Sequence, residues 1–216
     1  MAEKFHTELK HLKNDTVEMA LFAHDMLRVA VNALIRQDQE LAASVIGRKD
    51  ELHAMELKLE EHCYQLIALN QPMAKDMRVI ACTLKVIGAS MRIGRYGKVI
   101  ANIVKEISDK PHISNIMSIP HMAELTLDMV NDAIRAYNTE SVDLIADFSA
   151  RDDTIDALRF SIFREGITYM MEDPKNISRC THYIMVARYL ERCADHSCKI
   201  AENVHYMHTG ERIEIH

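Results

Sequence analysis

Apolar residues recur at helical spacing along almost the whole chain. The first stripe steps by threes and fours for about seven turns, as one buried face of an α-helix does; it consists of Leu9, Leu12, Thr16, Met19, Ala23, Met26, Ala30 and Ala33. Similar stripes run from Leu41 to Leu69 and from Val79 to Ile107. Turn formers are scarce, with 6 glycines and 4 prolines in 216 residues. A β-sandwich or barrel needs a turn about every 8 to 12 residues, so we expect a helical protein.

Prolines mark the breaks between the helices. Pro72 ends the second helix, because proline disfavours helix in the residue before it, and Pro174 falls 102 residues later. Between them, a segment bounded by Pro111 and Pro120 carries no charged residue and is typical of an ordered linker. Further helices are predicted over about residues 121–137 and 139–173, and the last one ends where Gly210 can cap it.

The order of long helix, long helix, proline break and long helix occurs twice. The segment 92–100 also aligns weakly with 192–200. We therefore predict an all-α fold of two tandem three-helix bundles related by internal duplication. The first bundle would span residues 1–110, the linker 111–120, the second bundle 121–210 and a C-terminal tail 211–216. A single irregular six-helix domain is the alternative.

Composition narrows the possible partners and the compartment. The 26 Lys and Arg residues against 32 Asp and Glu residues give a net charge of -6, which does not favour nucleic acid or an anionic membrane as a partner. Five cysteines without a C-x-x-C pair predict reduced thiols. The N-terminus lacks the apolar core of a signal peptide, and no run approaches the roughly 18 apolar residues of a membrane span. We expect a cytoplasmic protein that does not insert into a membrane.

Acidic residues cluster on the last two predicted helices. Glu191 and Asp195 are four residues apart, so they share one face of the last helix. Asp152, Asp153 and Asp156 lie within five residues on the preceding helix. If the two helices pack antiparallel, these carboxylates would face one another and suit a hard or borderline metal ion. A solvated face neutralised by neighbouring basic residues is the plainer interpretation.

Several strings along the chain together resemble the phosphate-uptake regulator family, PhoU. The resemblance extends from about Phe5 to Glu211. It is carried by Arg78-Val79-Ile80 after Gln71-Pro72, by Tyr169-Met170-Met171-Glu172-Asp173, by Tyr189-Leu190-Glu191-Arg192-Cys193-Ala194-Asp195-His196 and by His208-Thr209-Gly210-Glu211.

The resemblance implies a cytoplasmic, non-enzymatic regulator built from two three-helix bundles. Its relatives damp phosphate uptake through the phosphate ABC transporter and relay phosphate status to a sensor histidine kinase, so the expected partners are the transporter's ATPase subunit and the kinase. Apart from the resemblance, the long flanks of two bundles offer wide contact area, which makes a homodimer a further expectation. Some relatives hold iron or zinc clusters on a repeated motif of an acid, three residues and Asp. Here Glu191 to Asp195 preserves the second copy of that motif, which implies iron or zinc in the second half.

The first copy of the motif departs from the family pattern. The positions 100 residues before Glu191, Asp195, Cys198 and Glu202 hold Met91, Arg95, Lys98 and Asn102. Cations at these places repel a metal ion, so we predict no metal cluster in the first half. Two roles remain open for the basic residues. They would pair with Glu56, Glu60 and Glu61 in a salt-bridge seam, or form a contact patch for an anion or an acidic partner, made of Arg92, Arg95 and Lys98.

Two other function classes remain open. The E-x-x-H motifs Glu8 to His11 and Glu202 to His205 have the spacing by which helical bundles hold two irons, which would make a di-iron carboxylate protein. A helical adaptor for a system unrelated to phosphate is the other alternative. The sequence shows no nucleophile with an oriented base and no glycine-rich phosphate loop. We therefore expect that the protein is not an enzyme.

Overall fold

The computed structural model describes residues 2–113 and 118–215, which are α-helical with short 3-10 turns and include no β-strand. The seven α-helices are α1 (Ala2–Arg36), α2 (Gln39–Gly47), α3 (Lys49–Asn70), α4 (Ala74–Ile107), α5 (Ile119–Thr139), α6 (Phe148–Glu172) and α7 (Ile177–Thr209). The 3-10 turns span Asp143–Ile145 and Pro174–Asn176. Of the predicted linker 111–120, residues 114–117 lie outside the described residues, and Ile119 and Pro120 belong to α5.

The second predicted helix is two helices, so the expectation of one continuous helix over 41–69 was wrong. Asp38 caps the start of α2 by accepting a hydrogen bond from the Leu41 N–H at 2.9 Å. The break falls at Arg48, just after Gly47, a poor helix former. Arg48 turns toward α1, where its guanidinium donates to Asp25 at 2.7 Å and stacks on the Phe22 ring at 4.1 Å.

The predicted single helix over 139–173 was also wrong at its start. Glu140 adopts a left-handed conformation with φ of 56° and ends α5, and α6 begins only at Phe148. Lys13 of α1 holds Glu140 by an ion pair of 2.6 Å. The apolar residues Val142, Ile145 and Phe148 keep helical spacing through the turn. The break between α5 and α6 therefore cannot be seen in the apolar periodicity of the sequence.

Burial repeats along the chain and shows the internal duplication. Every buried residue of α5 lies 103 residues after a buried residue of α1, and every buried residue of α6 lies 103 residues after one of α2 or α3. Every buried residue of α7 except Cys198 lies 100 residues after a buried residue of α4. Within the described residues, the equivalent positions of the two halves therefore follow from these offsets.

Helices α4 and α7 pack antiparallel and join the two halves. At one end, the Arg78 guanidinium carbon lies 3.7 Å from the point that a Cβ atom on Gly210 would occupy. At the other end, Arg179 donates a hydrogen bond to the Pro111 carbonyl. One continuous cluster of buried apolar side chains runs through both bundles. The halves thus share a core and form one body.

The linker is tied to both halves by one histidine. The His112 Nε2–H donates to the Leu34 carbonyl at 3.0 Å, so Nδ1 accepts from the Tyr183 hydroxyl at 2.9 Å. Leu34 belongs to α1 and Tyr183 to α7.

None of the described helices combines the length and apolar character needed to cross a lipid bilayer.

Candidate functional site

A carboxylate cluster lies between α6 and α7. Asp152 of α6 accepts a hydrogen bond from the buried Cys198 thiol of α7. Partial burial, together with the negative charges of Asp195 and Asp156, raises the pKa of the Asp152 carboxyl. The two acidic segments of the sequence therefore face each other across the α6–α7 groove. We call Asp152, Asp156, Glu191 and Asp195 the acidic cluster.

The Glu191 carboxylate is largely enclosed by the protein. Its side chain is 14% exposed, and its buried Oε2 atom has no hydrogen-bond partner. Burial, followed by repulsion from Asp195, raises the pKa of the Glu191 carboxyl. The Arg192 Nε atom lies 3.8 Å from the Glu191 Oε2 atom, too far for a hydrogen bond, so the carboxylate is only weakly compensated.

Two arginines approach the acidic cluster. The Arg159 Nε atom lies 3.7 Å from Glu191 Oε1 and 4.0 Å from Asp156 Oδ1. Arg192 donates to Asp195 at 2.9 Å. The Arg159 Nε atom is itself buried without a hydrogen-bond partner, so this contact is an ion pair of poor geometry.

The fifth predicted ligand, Asp153, is exposed and raises the pKa of Asp152 less than Asp195 and Asp156 do. Over the described ranges 2–113 and 118–215, no three His, Cys, Asp or Glu side chains are grouped as they would be around a metal ion. Sequence reasoning placed Cys198 on the same face of the last helix as Glu191, by the 4-3-4 spacing, but did not count it among the ligands. It missed Arg159.

The equivalent groove between α3 and α4 has the opposite charge. By the offsets of 103 and 100 residues, the acidic cluster corresponds to Lys49, His53, Met91 and Arg95. Lys98 takes the place of Cys198. The change of charge therefore involves both helices of the hairpin, and sequence reasoning had noticed it only on α4.

The predicted salt-bridge seam in this groove was wrong. Among the described residues, no carboxylate lies within 4.0 Å of the cationic groups of Arg92, Arg95 or Lys98. Glu56 instead contacts His53 on its own helix at 2.9 Å. The predicted basic patch thus lies on the surface with its charges uncompensated, and Arg92 is close enough to His196 on α7 to lower the pKa of that ring.

The two E-x-x-H motifs have other partners. A Glu8 oxygen lies 3.7 Å from His62, and both Glu202 oxygens accept hydrogen bonds from Lys199, at 2.7 and 3.0 Å. His205 contacts the Glu211 carbonyl at 3.1 Å. These contacts give no support to a shared di-iron centre.

A family model described as "PhoU domain" matches residues 16–104 and again residues 119–204. The chain belongs to the PhoU family. The two PhoU matches begin 103 residues apart and end 100 residues apart, which are the offsets that burial gives for the two bundles. The predicted all-α fold of two related three-helix bundles is confirmed.

PhoU relatives match the chain over nearly its full length. A protein of Rhizobium meliloti is 36% identical over 95% of this chain and 87% of its own length, and one of Aquifex aeolicus is 34% identical over 98% and 96%. Both are named "Phosphate-specific transport system accessory protein PhoU homolog". The crystal structure of PhoU from Pseudomonas aeruginosa superposes with a TM-score of 0.91 at 32% identity, covering 96% of this chain and 100% of that one. A PhoU structure from Streptococcus pneumoniae, 24% identical over 97% and 99%, shares the fold with a TM-score of 0.89.

Proposed function

We propose that this protein is an accessory regulator of phosphate uptake that works in the cytoplasm by protein contact and without catalysis. It would bind the ATPase subunit of a phosphate ABC transporter, damp uptake, and convey phosphate status to a sensor histidine kinase. The observation that carries the proposal is the match, over nearly the whole chain, to accessory proteins of the phosphate-specific transport system.

The outer face of α6 supplies a contact surface for such a partner. Four large apolar side chains follow one another there at helical spacing and are 38 to 81% exposed: Phe160, Phe163, Ile167 and Met171. We call this row the α6 stripe. Contiguous exposed apolar side chains on a helix are typical of a protein-binding face. The equivalent row on α3, which is Leu57, Glu60, Tyr64 and Ala68, has two large apolar residues instead of four.

Binding to the purified ATPase subunit tests this role. The double variant Phe163→Asp with Ile167→Asp places two charges in the α6 stripe and should abolish binding to the subunit. The matched control, Leu57→Asp with Tyr64→Asp, places the same charges on the two large apolar residues of the equivalent row of α3 and should bind like the wild type. Absence of binding by the wild-type chain would contradict the proposed partner and favour a helical adaptor for another system.

A second copy of this chain is the other partner that could bind the α6 stripe, in a homodimer. Sedimentation of the wild type and of the Phe163→Asp, Ile167→Asp variant distinguishes the two. A wild-type monomer at the concentrations used for binding leaves the stripe to the ATPase subunit. A wild-type dimer that the variant splits assigns the stripe to self-association instead.

We also propose that the acidic cluster binds iron or zinc in the second half of the protein. Two features of the acidic cluster support a cation: the Glu191 Oε2 atom has no hydrogen-bond partner, and burial together with the charges of Asp195 and Asp156 raises the carboxyl pKa values of Glu191 and Asp152. A bound ion would supply the missing positive charge. Arg159 and Arg192 would have to release Glu191 and Asp195 for these ligands to reach it.

Elemental analysis tests the metal proposal. Wild-type protein purified without chelator should contain iron or zinc, and the variant Glu191→Gln with Asp195→Asn should have lost it. The control Asp50→Asn with Glu51→Gln removes two carboxylates from the exposed first turn of α3 and should keep the metal. Equal metal content in all three proteins would contradict the site.

A further inference from the structure

The groove between α3 and α4 presents cations where its counterpart presents carboxylates. We propose that this groove, formed by Lys49, Arg95 and Lys98 and called here the basic groove, binds a tetrahedral oxyanion. The identification of that oxyanion as inorganic phosphate rests on the proposed function. The first bundle would then bind an anion at the positions where the second bundle has the carboxylates of the acidic cluster.

A packing contact brings the three cations to one level of the hairpin. Leu52 of α3 presses on Gly94 of α4, since a Cβ atom on that glycine would lie only 2.3 Å from the Leu52 Cδ2 atom. Lys49 is three residues before Leu52, and Lys98 is four residues after Gly94. Because α3 and α4 are joined by a tight turn and run antiparallel, both lysines lie on the side of this contact away from the turn. Arg95 directly follows Gly94, at the position equivalent to Asp195, whose charge acts on Asp152 in the second half.

The positive charges of the basic groove are not used within the fold. In the part of the chain that the structure describes, Arg95 and Lys98 have no carboxylate within 4.0 Å. Lys49 meets only Asp50, at 3.7 Å, and that carboxylate is 93% exposed. An exposed ion pair of this kind is worth little, so Lys49 remains free to meet a ligand.

The base of the basic groove has an apolar residue where its counterpart has a carboxylate, since Met91 replaces Glu191 there and is buried at 8% exposure. Glu56, which holds the position equivalent to Arg159, is paired with His53 at 2.9 Å. Arginine presents a planar fork of N–H donors that matches two oxygens of an oxyanion, and the lysines add mobile point charges. The whole protein carries a net charge of -6, which repels anions in general. Saturable binding of an anion would therefore indicate a local cationic site such as this groove, because the overall charge of the protein does not attract anions.

The position of the cations favours a small ligand over an acidic protein surface. Lys49 and Lys98 are half-buried, and the residues at the equivalent positions of the second half, Asp152 and Cys198, are hydrogen-bonded to each other across the two helices. A tetrahedral oxyanion between the two lysines can accept from both helices at once. An extended acidic surface would reach Arg92 and Arg95, which are exposed, more readily than the lysines beside them.

Titration of the purified full-length protein with inorganic phosphate at constant ionic strength tests the inference, by calorimetry and by the phosphorus NMR signal. The variant Lys49→Gln with Arg95→Gln removes one cation from each helix and should weaken binding about tenfold or more, since hydrogen bonds to charged groups are among the strongest. The control Lys85→Gln with Lys105→Gln removes the same charge from exposed positions of α4 and should stay within about twofold of wild type, as distant surface charges are screened. Circular dichroism of both variants verifies that they fold.

Two results would overturn the inference: phosphate fails to bind saturably, or both variants weaken its binding equally. Sulfate that binds as tightly as phosphate would support the oxyanion site and contradict its assignment to inorganic phosphate. If phosphate does not bind and the Lys49→Gln, Arg95→Gln variant instead loses the ATPase subunit, the groove is a protein-docking surface. Phosphate binding without ATPase binding would contradict the proposed partner and leave the basic groove standing.

Discussion

Tyr96 on α4 and His196 on α7 hold equivalent positions in the two halves, and their rings stack with centroids 6.1 Å apart. Tyr96 also stacks on Tyr189, with centroids 5.6 Å apart. The internal two-fold relation of the protein therefore passes through an aromatic contact between the halves. This contact lies on the α4–α7 seam that makes the two bundles one body.

Removal of the central ring of this stack should destabilise the whole protein. Tyr96→Ala loses two aromatic contacts and half-buried apolar area, and we expect the free energy of unfolding in urea to fall by about 2 kcal/mol. Tyr64→Ala on α3 is the control, because its ring is 53% exposed, and it should change stability by no more than about 0.5 kcal/mol. Equal losses for the two variants would show that the seam does not depend on the stack.

Gly97 permits the close approach of α4 to α1. A Cβ atom there would lie 2.9 Å from the Leu27 backbone nitrogen and 3.0 Å from the Met26 carbonyl oxygen. Gly97→Ala should therefore lower the free energy of unfolding by about 1–3 kcal/mol, since backbone cannot move aside cheaply. Gly88→Ala, with nothing within 4 Å of its new Cβ atom, should instead raise it by about 0.5–1 kcal/mol. A stabilised Gly97→Ala protein would contradict the packing of α4 on α1.

The pH dependence of stability should contain a contribution from His196. Burial lowers the pKa of His196 below its usual 6.5, with Asp195 opposing and Arg92 and Arg192 reinforcing the shift. The unfolded chain then takes up this proton at a higher pH than the folded protein, so stability is lost as pH falls below about 6.5 toward the folded pKa. Urea unfolding at several pH values should show a smaller loss on acidification in His196→Gln than in the wild type. Identical pH profiles would argue against burial of this ring.

Arg159 should have opposite effects on the metal-free and metal-bound protein. Arg159→Gln removes the cation beside Glu191 and Asp156, so without metal we expect a loss of up to about 1 kcal/mol in the free energy of unfolding. The same change frees Glu191 as a ligand and should tighten zinc binding in a titration. Arg164 is an exposed arginine five residues further along α6, and Arg164→Gln should alter neither stability nor zinc binding. Weaker zinc binding by Arg159→Gln would contradict the metal proposal.

The fold was accessible from sequence because helical periodicity and proline breaks are local signals. The positions of the helix breaks could not be predicted in this way, because the ends of α2 and α5 depend on tertiary contacts. Arg48 contacts Asp25 at the end of α2, and Lys13 contacts Glu140 at the end of α5. An apolar spacing that continues from Val142 to Phe148 hides the second break altogether.

The acidic cluster could be predicted from the sequence in part. Asp152 and Glu191 could be placed on facing helices from spacing and antiparallel packing alone. Their counterparts Lys49 and His53 could not, because the register between α3 and α6 follows from burial and not from residue identity. The enclosure of Glu191 and the approach of Arg159 are likewise tertiary properties.

Phosphate uptake in cells that lack this gene tests the central claim most directly. The rate of radiolabelled phosphate uptake at high external phosphate should rise in the deletion strain, return to the parental rate with the wild-type gene, and stay high with the Phe163→Asp, Ile167→Asp variant produced at the same level. An uptake rate that deletion leaves unchanged would contradict the account.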